Sequence, residues 1–180
     1  MSKENHSMQS ISPSRHPCPT LSQAFSCGHV WDQSGALVPL HSNVSESEAG
    51  QLYDLVRLLK PRHTVEIGFC QGISAMAILQ ALEDNGEGEH WVIDPFQSNY
   101  GNAGLEMVRR SGLAGRMHFH ESFPEEVLPR VDITFQFGFI DASHLFDLTL
   151  LDFNLVDKKL DAGGIVGLHD LWMPSLQKVW

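Results

Sequence analysis

The feature that most limits what this chain can become is an alternation of short β-rich runs with helical stretches from residue 63 onward. The β-rich runs lie at 64–67, 91–94, 117–120, 135–140 and 165–168, and helical stretches at 73–83, 105–111, 124–128 and 145–160 separate them. Such alternation builds strand–helix–strand units, whose parallel strands are covered by helices on both faces. The run 135–140 is almost wholly apolar, as a strand buried on both sides must be. A doubly wound α/β fold with five parallel strands is therefore predicted. Ala162, Gly163 and Gly164 read as a turn before the last strand, and Pro174 as the first turn of another helix.

Upstream, residues 1–22 are rich in Ser, Pro and His and are expected to be disordered or loosely attached. Residues 23–62 form an N-terminal cover, irregular to about 45 and then helical. Ser45 or Ser47 can cap that helix, Leu52, Leu55, Val56 and Leu59 share its apolar face, and Pro61 stops it. Residues 63–180 are the α/β core. The 22 acidic against 12 basic residues, a formal charge of -10, argue against nucleic acid as a partner, because binding phosphates needs clustered cations. No apolar run is long enough for a membrane span. Three scattered cysteines suit a reducing compartment, hence the cytoplasm, and make neither a disulfide framework nor a zinc site.

Open parallel sheets bind ligands beyond the carboxyl ends of their strands. After the first strand, Gly68 and Gly72 permit a tight turn and a close backbone approach at a helix start that favours an anion; plain turn packing explains them as well. After the second strand stands Asp94, placed to accept both hydroxyls of a ribose or simply to cap a helix. The glycines do not follow the GxGxxG spacing of dinucleotide binders. Asp141 and His144 follow the fourth strand and His169 and Asp170 the fifth, converging on one rim as a divalent-cation site or an acid–base set, with His144 as general base. Helix capping by Asp141 and a His169–Asp170 pair are the alternatives. Phe96 and Phe123 follow strands two and three, where an adenine or ordinary packing would occupy them, and the stripe Leu148, Leu151, Leu155 reads as core.

Taken together, Val65-Glu66-Ile67-Gly68 running to Gly72-Ile73-Ser74-Ala75 resembles motif I of class I S-adenosylmethionine-dependent methyltransferases, especially the small-molecule O-methyltransferases of the catechol type. Asp141-Ala142-Ser143-His144, the Gly163-Gly164 pair and His169-Asp170 are similar to a bacterial Asp-x-x-His branch that often uses magnesium. The resemblance implies a Rossmann-like sheet and S-adenosylmethionine held by Glu66, Gly68, Phe69, Gly72, Ser74, Asp94, Ser122 and Asp141. Within it, Ser74 matches a contact to the methionine carboxylate and Ser122 a position near the adenine. It further implies His144 and Asp141 as catalytic groups, Asp141, His169 and Asp170 as ligands of Mg2+ or another divalent cation, and a small-molecule methyl acceptor, with self-association left open. Two departures stand out: His169 replaces the acid usual in metal-dependent relatives, and the last two of the family's seven strands are missing. A non-catalytic or truncated cofactor-binding domain with an open sheet edge is the second reading, and an NAD-dependent oxidoreductase the third.

Overall fold

In the computed structural model, which describes residues 17–180, the chain begins with a helix, α1 (Pro19–Cys27). Pro19 occupies its first turn, where the absent N–H would have had no partner, and left-handed Gly28 ends it. An antiparallel hairpin follows, β1 (His29–Trp31) paired with β2 (Leu37–Pro39). Leu21 and Ala24 are fully buried where α1 meets α3, α4 and β1, elements defined below. The loose segment expected over 1–22 is thus corrected at its end: 1–16 lie outside the described residues, and residues 19–22 begin a packed helix. The irregular stretch expected to 45 holds the rest of that helix and the hairpin. Two buried side chains one turn apart are too short a periodicity to announce a helix.

Ser45 opens α2 (Glu46–Leu59) with a reciprocal cap: Glu48 N donates to Ser45 Oγ (3.3 Å) and Ser45 N donates to Glu48 Oε2 (2.7 Å). The alternation then runs through β3 (His63–Ile67), α3 (Ile73–Asn85), β4 (Glu89–Ile93), α4 (Ala103–Ser111), β5 (Met117–His120), α5 (Pro124–Val127), β6 (Phe135–Ile140), α6 (Phe146–Asp157) and β7 (Leu160–Leu168). The sheet order is β5-β4-β3-β6-β7, with every adjacent pair parallel. From β3 the chain works outward to β5, then returns to lay β6 on the other side of β3. The carboxyl ends of β3 and β6 therefore form the switch point of the sheet.

Side chains alternate across the sheet with the two-residue period of a strand. Val65, Ile67 and Ile93 pack with Val127, Leu128 and Val156 on one face, while Val92, Phe137 and Phe139 join the core shared with α3 and α4 on the other. The glycine turn expected at 162–164 is instead an irregularity within β7: Phe135 pairs with Leu160 and Phe137 with Ile165, so six residues of one strand span three of the other. The core stripe expected on α6 is also displaced. Leu148 and Leu151 are exposed, and the buried residues of that helix are Thr149, Asp152 and Val156. Among the described residues no helix is long and apolar enough to cross a membrane.

If α1 is part of the fold, Leu21→Ala empties a fully buried site and should destabilise the chain by about 2–5 kcal/mol in urea denaturation. A loss below about 0.5 kcal/mol, the range of ordinary surface changes, would return residues 17–27 to a loose tail.

Candidate active site

At the switch point Gly68 has φ +92°, and a Cβ there would sit 2.0 Å from the Asp141 carbonyl oxygen. Only glycine permits both that φ and that approach. Gly68 N donates to Ile93 O (3.0 Å) and Asp141 N to Ile67 O (2.9 Å), which ties the end of β3 to both neighbouring strands. The loop that follows is shaped by Asp94. Its Oδ2 accepts from Phe69 N (2.8 Å) and Cys70 N (3.0 Å), and its Oδ1 from Phe96 N (2.7 Å). A carboxylate has about four acceptor sites, so one stays open on the cavity side. Gln71 straps the loop to the N-terminal cover, donating to Pro39 O and accepting from His41 N, each at 2.9 Å.

A cavity of about 470 Å³ opens above these strand ends. The loops after β3, β4 and β6, residues 42–44 and one face of α6 line it. Gly68, Phe69, Ser74, Asp94, Asp141 and His144 all face it, as the sequence leads one to expect. Glu66, Gly72 and Ser122 do not; Gly72 lies against the Phe69 ring and Gly104, where a Cβ would come within 3.0 and 3.1 Å. Glu66 is wholly buried beneath the loop, where its carboxylate accepts from Ser74 Oγ and meets His90 Nε2 at 2.9 Å. His90 Nδ1 lies 2.8 Å from Thr64 Oγ1, and burial holds the Glu66 carboxyl above its usual range. Ser122 gives its hydroxyl to Glu126 and lies away from the cavity.

His144 Nε2 lies 3.2 Å from Asp141 Oδ1 and 3.0 Å from Asp170 Oδ2, and one donor atom from each of the three falls within 4.8 Å of the others. This set replaces the expected Asp141, His169 and Asp170. His169 turns Nε2 toward Glu48 Oε1 (3.4 Å) and keeps Nδ1 3.3 Å from Asp141 Oδ1, off-line for a good hydrogen bond. Pairing with Asp141, opposed by burial and helped by the charges of Asp170 and Glu48, pushes the His169 imidazole up to about 9. Its ring thus faces Glu48 and Asp141, whereas His144 bridges Asp141 and Asp170. His144 (φ +56°), Asp170 (φ +53°) and Cys70 (φ +45°) hold left-handed backbone at three strand-end loops, the kind of local strain that marks a functional rim. Burial pushes the Cys70 thiol up to about 11, so it is no thiolate nucleophile.

Several lining residues escape sequence reading. Residues 42–44 and Tyr100 carry no motif. Asp152 carries a faint signal, an acid that interrupts the apolar run Leu150, Leu151, Phe153 of α6. It is 6% exposed, lines the cavity and makes no hydrogen bond with the described residues. Burial first, and the charge of Glu125 second, push its carboxyl up to about 6. A raised native pKa in an acid means that stability falls as pH rises from the unfolded value of 3.8 through about 6, and the loss is complete above that. Asp152→Asn should therefore be more stable than wild type by about 1–3 kcal/mol at pH 8, an advantage that vanishes near pH 4. Urea titrations at the two pH values test this, and equal stabilities at pH 8 would contradict the burial argument.

The methyltransferase domain family matches residues 65–171, more than half of the chain. The chain belongs to this family. Within its methyltransferase domain lie Gly68, Asp94, Asp141, His144, Asp152 and Asp170, while the hairpin strap and residues 42–44 lie outside. Tapetum-specific methyltransferase 1 of Arabidopsis thaliana is 28% identical over 151 residues, covering 78% of this chain and 63% of the relative. A caffeoyl-CoA O-methyltransferase of Mesembryanthemum crystallinum is 27% identical over 153 residues, covering 77% of this chain and 56% of the relative. The chain thus spans about three-fifths of the length of the curated relatives it matches. Among solved structures, the S-adenosylhomocysteine-bound methyltransferase of Podospora anserina superposes with a TM-score of 0.70 at 20% identity, over 85% of this chain and 62% of that one. The O-methyltransferase of tomaymycin synthesis from Streptomyces achromogenes, in complex with S-adenosylmethionine, gives 0.67 at 22% identity, over 89% and 74%. The methyltransferase domain thus has the Rossmann-like class I fold.

Proposed function

We propose that this chain is the cofactor-binding core of an S-adenosylmethionine-dependent methyltransferase that methylates a hydroxyl group of a small molecule in the cytoplasm. One observation carries the reading. Asp94, Glu125, Asp141 and Asp152 line the switch-point cavity, and no Lys or Arg is among the described residues lining it. Carboxylate walls attract the sulfonium of this cofactor and repel the pyrophosphate of a nicotinamide dinucleotide. The cavity volume falls in the roughly 300–1,000 Å³ range of small-molecule sites. S-adenosylhomocysteine in the Podospora structure, S-adenosylmethionine in the Streptomyces one and the O-methyltransferase of Mesembryanthemum favour the same cofactor and an O-methyl product.

In this reading the loop from Gly68 lets the backbone approach the cofactor, and the last acceptor site of Asp94 takes a ribose hydroxyl. The first turn of α3, beginning at Ile73, faces the methionine carboxylate with the backbone N–H groups that the helix leaves unpaired. When bound, S-adenosylmethionine supplies an electrophilic methyl group. The protein then needs to align an acceptor oxygen and manage its proton. His144, held between Asp141 and Asp170, takes that proton, and the two carboxylates orient its ring and balance the charge it gains. The same three side chains fit a divalent cation. Two carboxylates and an imidazole suit Mn2+ at least as well as Mg2+, and the ion would supply a Lewis acid that lowers the pKa of the acceptor hydroxyl.

Calorimetric titration of the 180-residue chain should show one S-adenosylhomocysteine per chain, weakened at least about tenfold in Asp94→Ala, which loses charge-assisted bonds. An absence of binding by the wild-type chain would remove the proposal. In the same buffer Mn2+ should raise the thermal midpoint of the chain, and Asp170→Asn should abolish the rise; a rise unaffected by that substitution would place the ion elsewhere.

A further inference from the structure

Of the acids that line the cavity, two are already occupied. Asp94 holds three backbone N–H groups and Asp141 is engaged with His144. Asp152 differs: it is 94% buried by its 6% exposure, faces the cavity and has no donor among the described residues. Its oxygens are not sealed in the core but open to the cavity, where a ligand can supply the donor. The wall around it is apolar, with Leu148 and Leu151 on the same helix. Phe96 and Phe123 add two aromatic rings to the same cavity, 5.9 Å apart and nearly perpendicular. Aromatic walls with one convergent acceptor suit a flat heteroaromatic ring that carries an amino group. Ser122, the residue expected near an adenine, spends its hydroxyl on Glu126.

We propose that Asp152 is a specificity-determining residue that recognises the amino edge of the cofactor's adenine ring. The inference rests on the S-adenosylmethionine reading above and extends it to a helix that the sequence motifs do not mark. As a carboxylate, Asp152 accepts from the exocyclic amine; protonated, it also donates to the neighbouring ring nitrogen. Glu125, from α5, is the charged group that acts on it.

The test compares two ligands that differ only at this edge: S-adenosylhomocysteine, with an amine at the 6-position, and its 6-deamino purine analogue, with a hydrogen there. Calorimetry at pH 8 on the full chain should give wild type an affinity at least about tenfold higher for the adenosyl form, the scale of one hydrogen bond to a charged group. Asp152→Leu should bring the two affinities within about threefold. Asp152→Asn, whose neutral amide oxygen replaces a charged acceptor for the amine, should narrow the gap by weakening the adenosyl form. If the leucine variant does not fold, as judged by circular dichroism, the isosteric asparagine variant decides. A wild-type preference below about threefold, or a preference undiminished in both variants, overturns the role of Asp152 and leaves the cofactor reading intact. Binding of neither ligand by wild type overturns both.

Discussion

The approach of Gly68 to the Asp141 carbonyl is the contact on which the rest of the site depends. The chain leaves β3 and β6 toward opposite faces of the sheet, and a cavity forms only if the two loops start against one another. A single Cβ at Gly68, 2.0 Å from that carbonyl, would drive the strand ends apart. With the contact made, Asp94 can gather the N–H groups of Phe69 and Cys70 and present the start of α3 to the cavity. From the other side the same contact sets the backbone from which Asp141 and His144 reach Asp170. A backbone constraint thus comes first, and the electrostatics of the rim follow from it.

Beneath the loop lies a polar seam that is structural in its effect. Thr64, Glu66, His90 and Ser74 are linked in series with their mutual hydrogen bonds satisfied, and Glu66 and His90 are wholly buried. Such a pair adds little net stability over apolar packing, yet removal of either partner strands a buried polar group. The seam turns the Ser74 hydroxyl inward and fixes the first turn of α3 against β3. Glu66 therefore supports the cofactor loop from below and leaves Asp94 as the acid on the loop's exposed side.

The acidity of the chain acquires a place and a use. Most of its excess of ten negative charges is surface, but four acids meet in a cavity whose described lining has no basic side chain. That distribution favours a cationic ligand and separates the methyltransferase reading from a dinucleotide one more sharply than glycine spacing does. His169 supplies positive charge just beside this set, paired with Asp141, and so lowers the repulsion among the rim acids.

The five strands, their parallel pairing and the strand-end positions of Gly68, Asp94, Asp141 and Asp170 were legible because local periodicity and turn chemistry encode them residue by residue. Helix α1 was not, since only Leu21 and Ala24 carry its buried face. The run from 162 to 164 reads as a turn locally, yet pairing with β6 stretches it into one irregular strand. Which histidine joins Asp141 and Asp170 was equally hidden: His144 lies three residues from Asp141 and His169 next to Asp170, and only left-handed backbone at His144 and the pull of Glu48 on His169 separate them. The sequence by itself determined the class of sheet and the acids at its rim, because those depend on short-range spacing. Tertiary structure alone decided that Glu66 and Ser122 turn away and that Asp152 turns in, because the direction of a side chain is set by neighbours distant along the chain.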